Sequence, residues 1–145
     1  MSKTIYKRRF FVDLVCYAYF LLFLYAAVSK LIDYESSELR MAKSPIITEF
    51  ATILVWLVPA VEIIIALMLV IPKTIMLGLY AALALMSMFT AYIIAILNFS
   101  DTIPCSCGGV LEQLSWTEHL VFNLTFIIMA MMAILLQVKT DKHKA

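Results

Sequence analysis

The sequence predicts an all-α membrane protein, a four-transmembrane-helix bundle. Hydrophobic residues make up 64% of the 145-residue chain and charged residues only 14%, which is far from the composition of soluble domains. Four apolar runs are each long enough to cross a bilayer, and helices are predicted because lipid offers a bare backbone no hydrogen-bond partner. We expect one domain over residues 1–145, with helices at about 10–28, 45–71, 74–98 and 116–138.

The first apolar run follows a basic arm that contains Lys3, Lys7, Arg8 and Arg9. A basic arm before an apolar run also occurs in secretory signal peptides. The run from Phe10 to Val28, at roughly 19 residues, is longer than a signal core, and no small-x-small cleavage site follows it. We therefore expect an uncleaved membrane-spanning helix.

The distribution of basic residues predicts the orientation of the chain in the membrane. Of the eleven Lys and Arg residues, eight lie in the N-terminal arm, the second connection and the C-terminal tail, which leaves Lys30, Arg40 and Lys43 on the other side. This excess places both termini in the cytoplasm of a bacterium, with the protein in the inner (cytoplasmic) membrane. The connections at roughly 29–48 and 98–118 then face the periplasm, an oxidising compartment.

The second apolar run contains a carboxyl group at membrane depth. Ser44 and Pro45 fit an N-cap followed by proline at the first helical position, so this helix is expected to begin near Pro45. Pro59 and then Glu62 lie inside it. An ionisable residue at such depth is costly and is typical of a bundle interior, a cavity or a proton path. Glu62 is a candidate quinone or proton site; the alternative is a neutral acid bonded to a neighbouring helix.

The fourth helix has the clearest start signal in the chain. Ser115 to Glu118 fit a capping box, in which Ser115 is the N-cap and Glu118 reaches back. His119 follows directly and is a candidate proton donor or acceptor for nearby thiols. The alternatives are an interfacial histidine bonded to a carbonyl, or a third soft metal ligand, for which the loop supplies no obvious fourth partner.

The only cluster with obvious covalent chemistry is Pro104-Cys105-Ser106-Cys107-Gly108-Gly109. Extended, the two cysteine Cα atoms would lie about 6.6 to 7.2 Å apart, at or beyond the disulfide limit of about 6.8 Å, so a turn is required. Proline and glycine make such a turn available, and a strained exposed disulfide is prone to exchange. Cys105 and Cys107 are the predicted catalytic residues; the alternatives are ordinary buried thiols or a static link. Cys16 is predicted to be a small core residue.

A set of motifs along nearly the whole chain resembles one known family. The motifs are Val28-Ser29-Lys30-Leu31 with Asp33, Ser44-Pro45, Pro59-Ala60-Val61-Glu62, Phe89-Thr90-Ala91-Tyr92-Ile93, and the cysteine segment with Ser115-Trp116 and His119-Leu120. In these the chain resembles the MauE-like (methylamine utilisation) membrane proteins of the DoxX-like group. The resemblance implies a four-helix membrane protein associated with thiol-disulfide or quinone-linked electron transfer, working with a periplasmic thioredoxin-like partner.

Together these observations predict a redox-associated protein of the membrane. Cys105 and Cys107 would exchange electrons with a periplasmic thioredoxin-fold protein, His119 would manage protons, and a quinone held near Glu62 would complete the circuit. The alternatives are a non-catalytic docking or assembly partner, and a small-molecule or metal transporter. Nucleic acid is not expected as a partner, because a net charge of +1 creates no basic field.

Overall fold

A computed structural model describes residues 2–43, 48–99 and 115–144, and its regular secondary structure is all helical. The helices are α1 (Ser2–Ile32), α2 (Tyr34–Ala42), α3 (Ala51–Val70), α4 (Ile75–Phe99) and α5 (Trp116–Lys144), with a 3-10 turn at Thr48–Phe50. By length and composition, α1, α3, α4 and α5 could each cross a membrane. The predicted all-helical fold, with four helices long and apolar enough to cross a membrane, is thereby confirmed, whereas the cytoplasmic placement of both termini stays a prediction.

The helices do not end where the apolar runs end. The basic arm belongs to α1, and α5 continues into the charged tail as far as Lys144. Lys and Arg are good helix formers, so backbone hydrogen bonding continues after the lipid-soluble part has finished. In α3 the α-helix proper begins at Ala51, later than the expected start near Pro45; Ser44 and Pro45 themselves lie outside the described residues.

The four long helices pack side by side in a ring, in the order α1, α3, α4, α5 and back to α1. The contact between α1 and α3 is the most extensive, whereas α1 and α4, which face each other across the ring, touch little. At one end of the ring α1 and α4 finish and α3 and α5 begin. We call this the cysteine-loop end, because the segment that joins α4 to α5 contains Cys105 and Cys107.

The short helix α2 packs against the first turns of α3. The rings of Tyr34 and Trp56 have centroids 5.2 Å apart, and the Thr52 hydroxyl donates to a Glu38 carboxylate oxygen at 3.2 Å. Tyr34 contacts Trp56, whereas Glu38, one turn later in α2, contacts Thr52, one turn earlier in α3. The two helices therefore run antiparallel. Both helices extend further toward the cysteine-loop end than α1 does. The last turn of α1 therefore lies inside the bundle and not at its outer edge.

The connected apolar core lies away from the cysteine-loop end. It includes Val12 to Phe23 of α1 and is completed by Ile65 to Leu69, Leu79 to Met86 and Ala130 to Ile134. Tyr19 is fully buried in it and donates its hydroxyl proton to the Phe126 carbonyl at 2.7 Å, which joins α1 to α5. Cys16 is a free, buried thiol in this core, which confirms its predicted role.

Gly78 allows α4 to approach α3 closely, just after the turn that connects them. A Cβ atom at this position would lie 3.2 Å from both the Leu69 nitrogen and the Met68 carbonyl carbon, and these backbone atoms cannot move independently of the helix. We expect Gly78→Ala to lower the thermal midpoint of the detergent-solubilised protein. Overpacking costs roughly 1–3 kcal/mol, which offsets the gain in helix propensity of about 1 kcal/mol. An unchanged or raised midpoint in a circular dichroism melt would contradict the close approach.

Candidate functional site

A lysine and a glutamate form an ion pair inside the bundle. Lys30 Nζ lies 2.8 Å from Glu62 Oε1 and 3.1 Å from Glu62 Oε2, so the ammonium donates to both carboxylate oxygens. The Glu62 side chain is 1% exposed and that of Lys30 is 11% exposed. Glu62 lies near the middle of α3 and on its buried face, so the pair is well inside a helix that could span the membrane.

The direction of the side chains explains how the two residues meet. In a helix each Cα–Cβ bond tilts toward the N-terminus of that helix. The N-terminus of α1 is at the far end of the ring, so Lys30 is directed back into the bundle, where its ammonium also lies 3.5 Å from the Ala26 carbonyl. The N-terminus of α3 is at the cysteine-loop end, so Glu62 is directed toward Lys30. The lysine therefore binds inside the bundle and does not extend toward the water beyond the end of α1.

Helix α5 contributes two more polar side chains, His119 and Asn123. They are four residues apart and so lie on the same face of α5, and Asn123 is only 3% exposed. His119 lies within electrostatic range of Lys30, and Asn123 lies one helical turn further along the same face of α5. We refer to Lys30, Glu62, His119 and Asn123 together as the polar cluster.

Two atoms of the polar cluster lack partners. His119 Nδ1 and Asn123 Nδ2 are buried, and neither has a hydrogen-bond partner in the part of the chain that the structure describes. A buried polar group without a partner costs about 1–3 kcal/mol, and buried polar groups in native proteins are nearly always paired. The ion pair thus satisfies its own charges, whereas the α5 side of the polar cluster has hydrogen-bonding capacity left over.

The first turn of α5 is held by the predicted capping box, which the structure confirms. The Ser115 N–H donates to Glu118 Oε2 at 2.8 Å, and the Glu118 N–H donates to Ser115 Oγ at 3.3 Å. The His119 N–H donates to the Ser115 carbonyl at 2.9 Å, which starts the regular helical bonding. The cap therefore fixes where α5 begins and places His119 in its first turn.

The structure places both Glu62 and His119 in the polar cluster, whereas the sequence predicts separate roles for them. Cys105 and Cys107 lie outside the described residues, so their role stays a prediction. Lys30 is a functional residue that the sequence pattern does not single out, because it follows the first apolar run and so counts as a loop charge. The signal that could have found it is Glu62 itself, since a carboxylate at membrane depth requires a cation nearby.

The four apolar helices enclose one buried ion pair, Lys30–Glu62. These features define a helical membrane protein that has a polar site within one end of its bundle. The comparison with protein-family models then gives the family. The model described as "Methylamine utilisation protein MauE" matches residues 8–136, and the chain belongs to this family. The resemblance inferred from the motifs is confirmed. No curated protein and no solved structure matched the chain.

We expect the ion pair to be energetically coupled. Removing one partner of a buried pair costs about 3–5 kcal/mol, because the other charge is left buried and uncompensated. Glu62→Gln and Lys30→Met should therefore each destabilise strongly, and the double variant should lose far less than the sum of the two. The measurement is a double-mutant cycle on unfolding of the protein in detergent.

The matched control for this cycle is Glu38→Gln, which alters a carboxylate whose hydrogen bond with Thr52 is exposed. It should change stability by no more than about 0.5 kcal/mol. Additive effects of the Lys30 and Glu62 substitutions would contradict the coupling.

Proposed function

We propose that this MauE-family membrane protein is a redox component that exchanges disulfides between its Cys105/Cys107 pair and a thioredoxin-fold partner in the periplasm. The observation that carries the proposal is the position of the polar cluster. It lies inside the cysteine-loop end of the bundle, and Ser115, the N-cap of α5, follows Cys107 by only eight residues. A group able to carry protons, His119, thus stands in the first turn after the cysteine segment, beside a buried ion pair.

The chemistry is a two-electron exchange. In one direction, the thiolate of one cysteine attacks the partner's disulfide and forms a mixed disulfide, releasing one partner thiolate. The second cysteine attacks the mixed disulfide and releases the other partner thiolate, so the pair loses two electrons and two protons and the partner gains them. The opposite direction uses the same steps in reverse. In that opposite direction the partner's thiols reduce the Cys105–Cys107 disulfide, and a membrane quinone near Glu62 would then take two electrons and two protons from the reduced pair and leave as the quinol. His119 would accept and return the protons.

The setting of the cysteine segment also supports the proposal. The backbone N–H groups at the start of a helix carry partial positive charge, which favours a nearby thiolate. A capped α5 begins just after the pair. The inner-membrane location, the outward orientation of the segment and the link to methylamine metabolism are parts of the same proposal.

Trapping of mixed disulfides tests this function. In cells grown with the full-length protein, we expect one of the single variants Cys105→Ser and Cys107→Ser to accumulate a mixed disulfide with a thioredoxin-fold protein. The reason is that the remaining cysteine attacks but the complex cannot be resolved. Non-reducing electrophoresis and mass spectrometry of the adduct provide the measurement.

The matched control is Cys16→Ser, which alters a free thiol buried in the apolar core and should leave trapping intact. The Cys105→Ser/Cys107→Ser double variant should trap nothing and should lose function. Full function of that double variant would refute disulfide exchange and would favour the alternative of a non-catalytic docking partner.

A further inference from the structure

The unpartnered atoms of α5 lie on the face that the helix turns toward the rest of the bundle. Asn123 shares this buried face with Ala130, Ala133 and Ile134, which pack into the apolar core. The amide nitrogen of Asn123 can only donate a hydrogen bond, and Nδ1 of His119 can donate or accept depending on the tautomer. A molecule that satisfied both atoms would present one acceptor oxygen to Asn123 and a carbonyl or hydroxyl oxygen to His119.

The charge of the polar cluster restricts the ligand further. Lys30 and Glu62 neutralise each other at 2.8 Å, so the cluster has no net charge to attract an ion. An anion bound there would lie near the Glu62 carboxylate, and a cation near the Lys30 ammonium. An uncharged ligand would be repelled by neither charge. It could also enter from the lipid, because it does not pay the cost of removing water from a charged group.

The side chains around the polar cluster are apolar but lie outside the connected apolar core. Ala27 lies one turn from Lys30, and Val55 and Ala51 are on the buried face of α3 between Glu62 and the cysteine-loop end. Near the end of α4, Ile93 and Ile96 are buried as well, and none of these residues belongs to the connected core. The polar cluster is therefore set in apolar surroundings, which suit a lipid-soluble ligand.

We propose that Asn123 and His119 form the polar part of a binding site, within the membrane-spanning helices, for an uncharged lipid-soluble carbonyl compound. The Asn123 amide donates to one ligand oxygen and His119 bonds to the same or a second oxygen, while the Lys30–Glu62 pair keeps the site electrically neutral. The identification of the ligand as an electron acceptor rests on the proposed function. The binding site itself uses neither Cys105 nor Cys107.

Isotope labelling offers a direct test, because the chain contains only two asparagines, Asn98 and Asn123. Asn98 is exposed and its amide already donates to the Ile94 carbonyl at 2.7 Å, so it is an internal reference. The full-length protein, labelled with 15N-asparagine and held in lipid nanodiscs, would be titrated with duroquinone, whose methylated ring cannot add to thiols. We expect a saturable shift of the Asn123 side-chain signals and a constant Asn98 signal.

Two further arms separate the kinds of ligand. Decanoate, an anionic lipid-like carboxylate, should leave the Asn123 signals unchanged. If decanoate shifts them and duroquinone does not, the inference of a neutral carbonyl ligand is overturned. If neither probe shifts them, the binding site itself is overturned.

Substitution of Asn123 provides an independent measurement. Asn123→Leu removes an unpaired donor, so the variant should be as stable as the parent or more stable, yet it should bind duroquinone about tenfold more weakly or worse. Asn98→Leu is the matched control and should bind normally. Parental affinity in Asn123→Leu would overturn the proposal. If that variant fails to fold, the labelled titration decides.

Failure of the site and failure of the proposed function can be told apart. The Cys105→Ser/Cys107→Ser double variant should bind duroquinone as the parent does. Binding without any trapped partner would contradict disulfide exchange alone, and trapping without a shift of the Asn123 signals would contradict the ligand site alone.

Discussion

The ion pair between Lys30 and Glu62 is the interaction on which the rest of the structure depends. Neither charge is tolerable alone inside a bundle of apolar helices, because burial removes water from each and lipid replaces none of it. The two side chains can meet only if the last turn of α1 lies beside the middle of α3 and both buried faces point inward. The pair therefore determines the relative height and rotation of the two helices that contact each other most extensively.

This constraint divides the bundle into two parts with different contents. Away from the cysteine-loop end, leucines, methionines and aromatic residues pack into one connected core, and Tyr19 is accommodated there only because the Phe126 carbonyl accepts its hydroxyl proton at 2.7 Å. At the cysteine-loop end, the polar cluster replaces that core, and the buried apolar residues there, such as Val55 and Ile96, are not part of it. The capping box of α5 then places His119, a member of the polar cluster, in the first turn of the helix that follows the cysteine segment in the sequence.

Local signals in the sequence predicted much of this arrangement. The four apolar runs and the Ser115–Glu118 box each depend on residues close together in the sequence, and each corresponds to an observed element. The helix ends and the role of Lys30 could not be predicted in this way, because they depend on packing between distant segments. Lys30 counts as a periplasmic charge only if the first membrane helix ends at residue 28, before Lys30. With Lys30 placed in the interior, the basic residues divide eight to two, which strengthens the predicted orientation.

A purely structural role does not account for the whole polar cluster. Within the ion pair each charge is neutralised by the other. The burial of Lys30 and Glu62 therefore requires no further polar side chain. Asn123 adds a buried donor with no acceptor among the described residues, and an apolar side chain of similar size would avoid that cost. The extra hydrogen-bonding capacity lies on the helix that follows the cysteine segment and next to a pair that keeps the site neutral. A ligand oxygen that accepts from Asn123, as proposed above, would remove this cost.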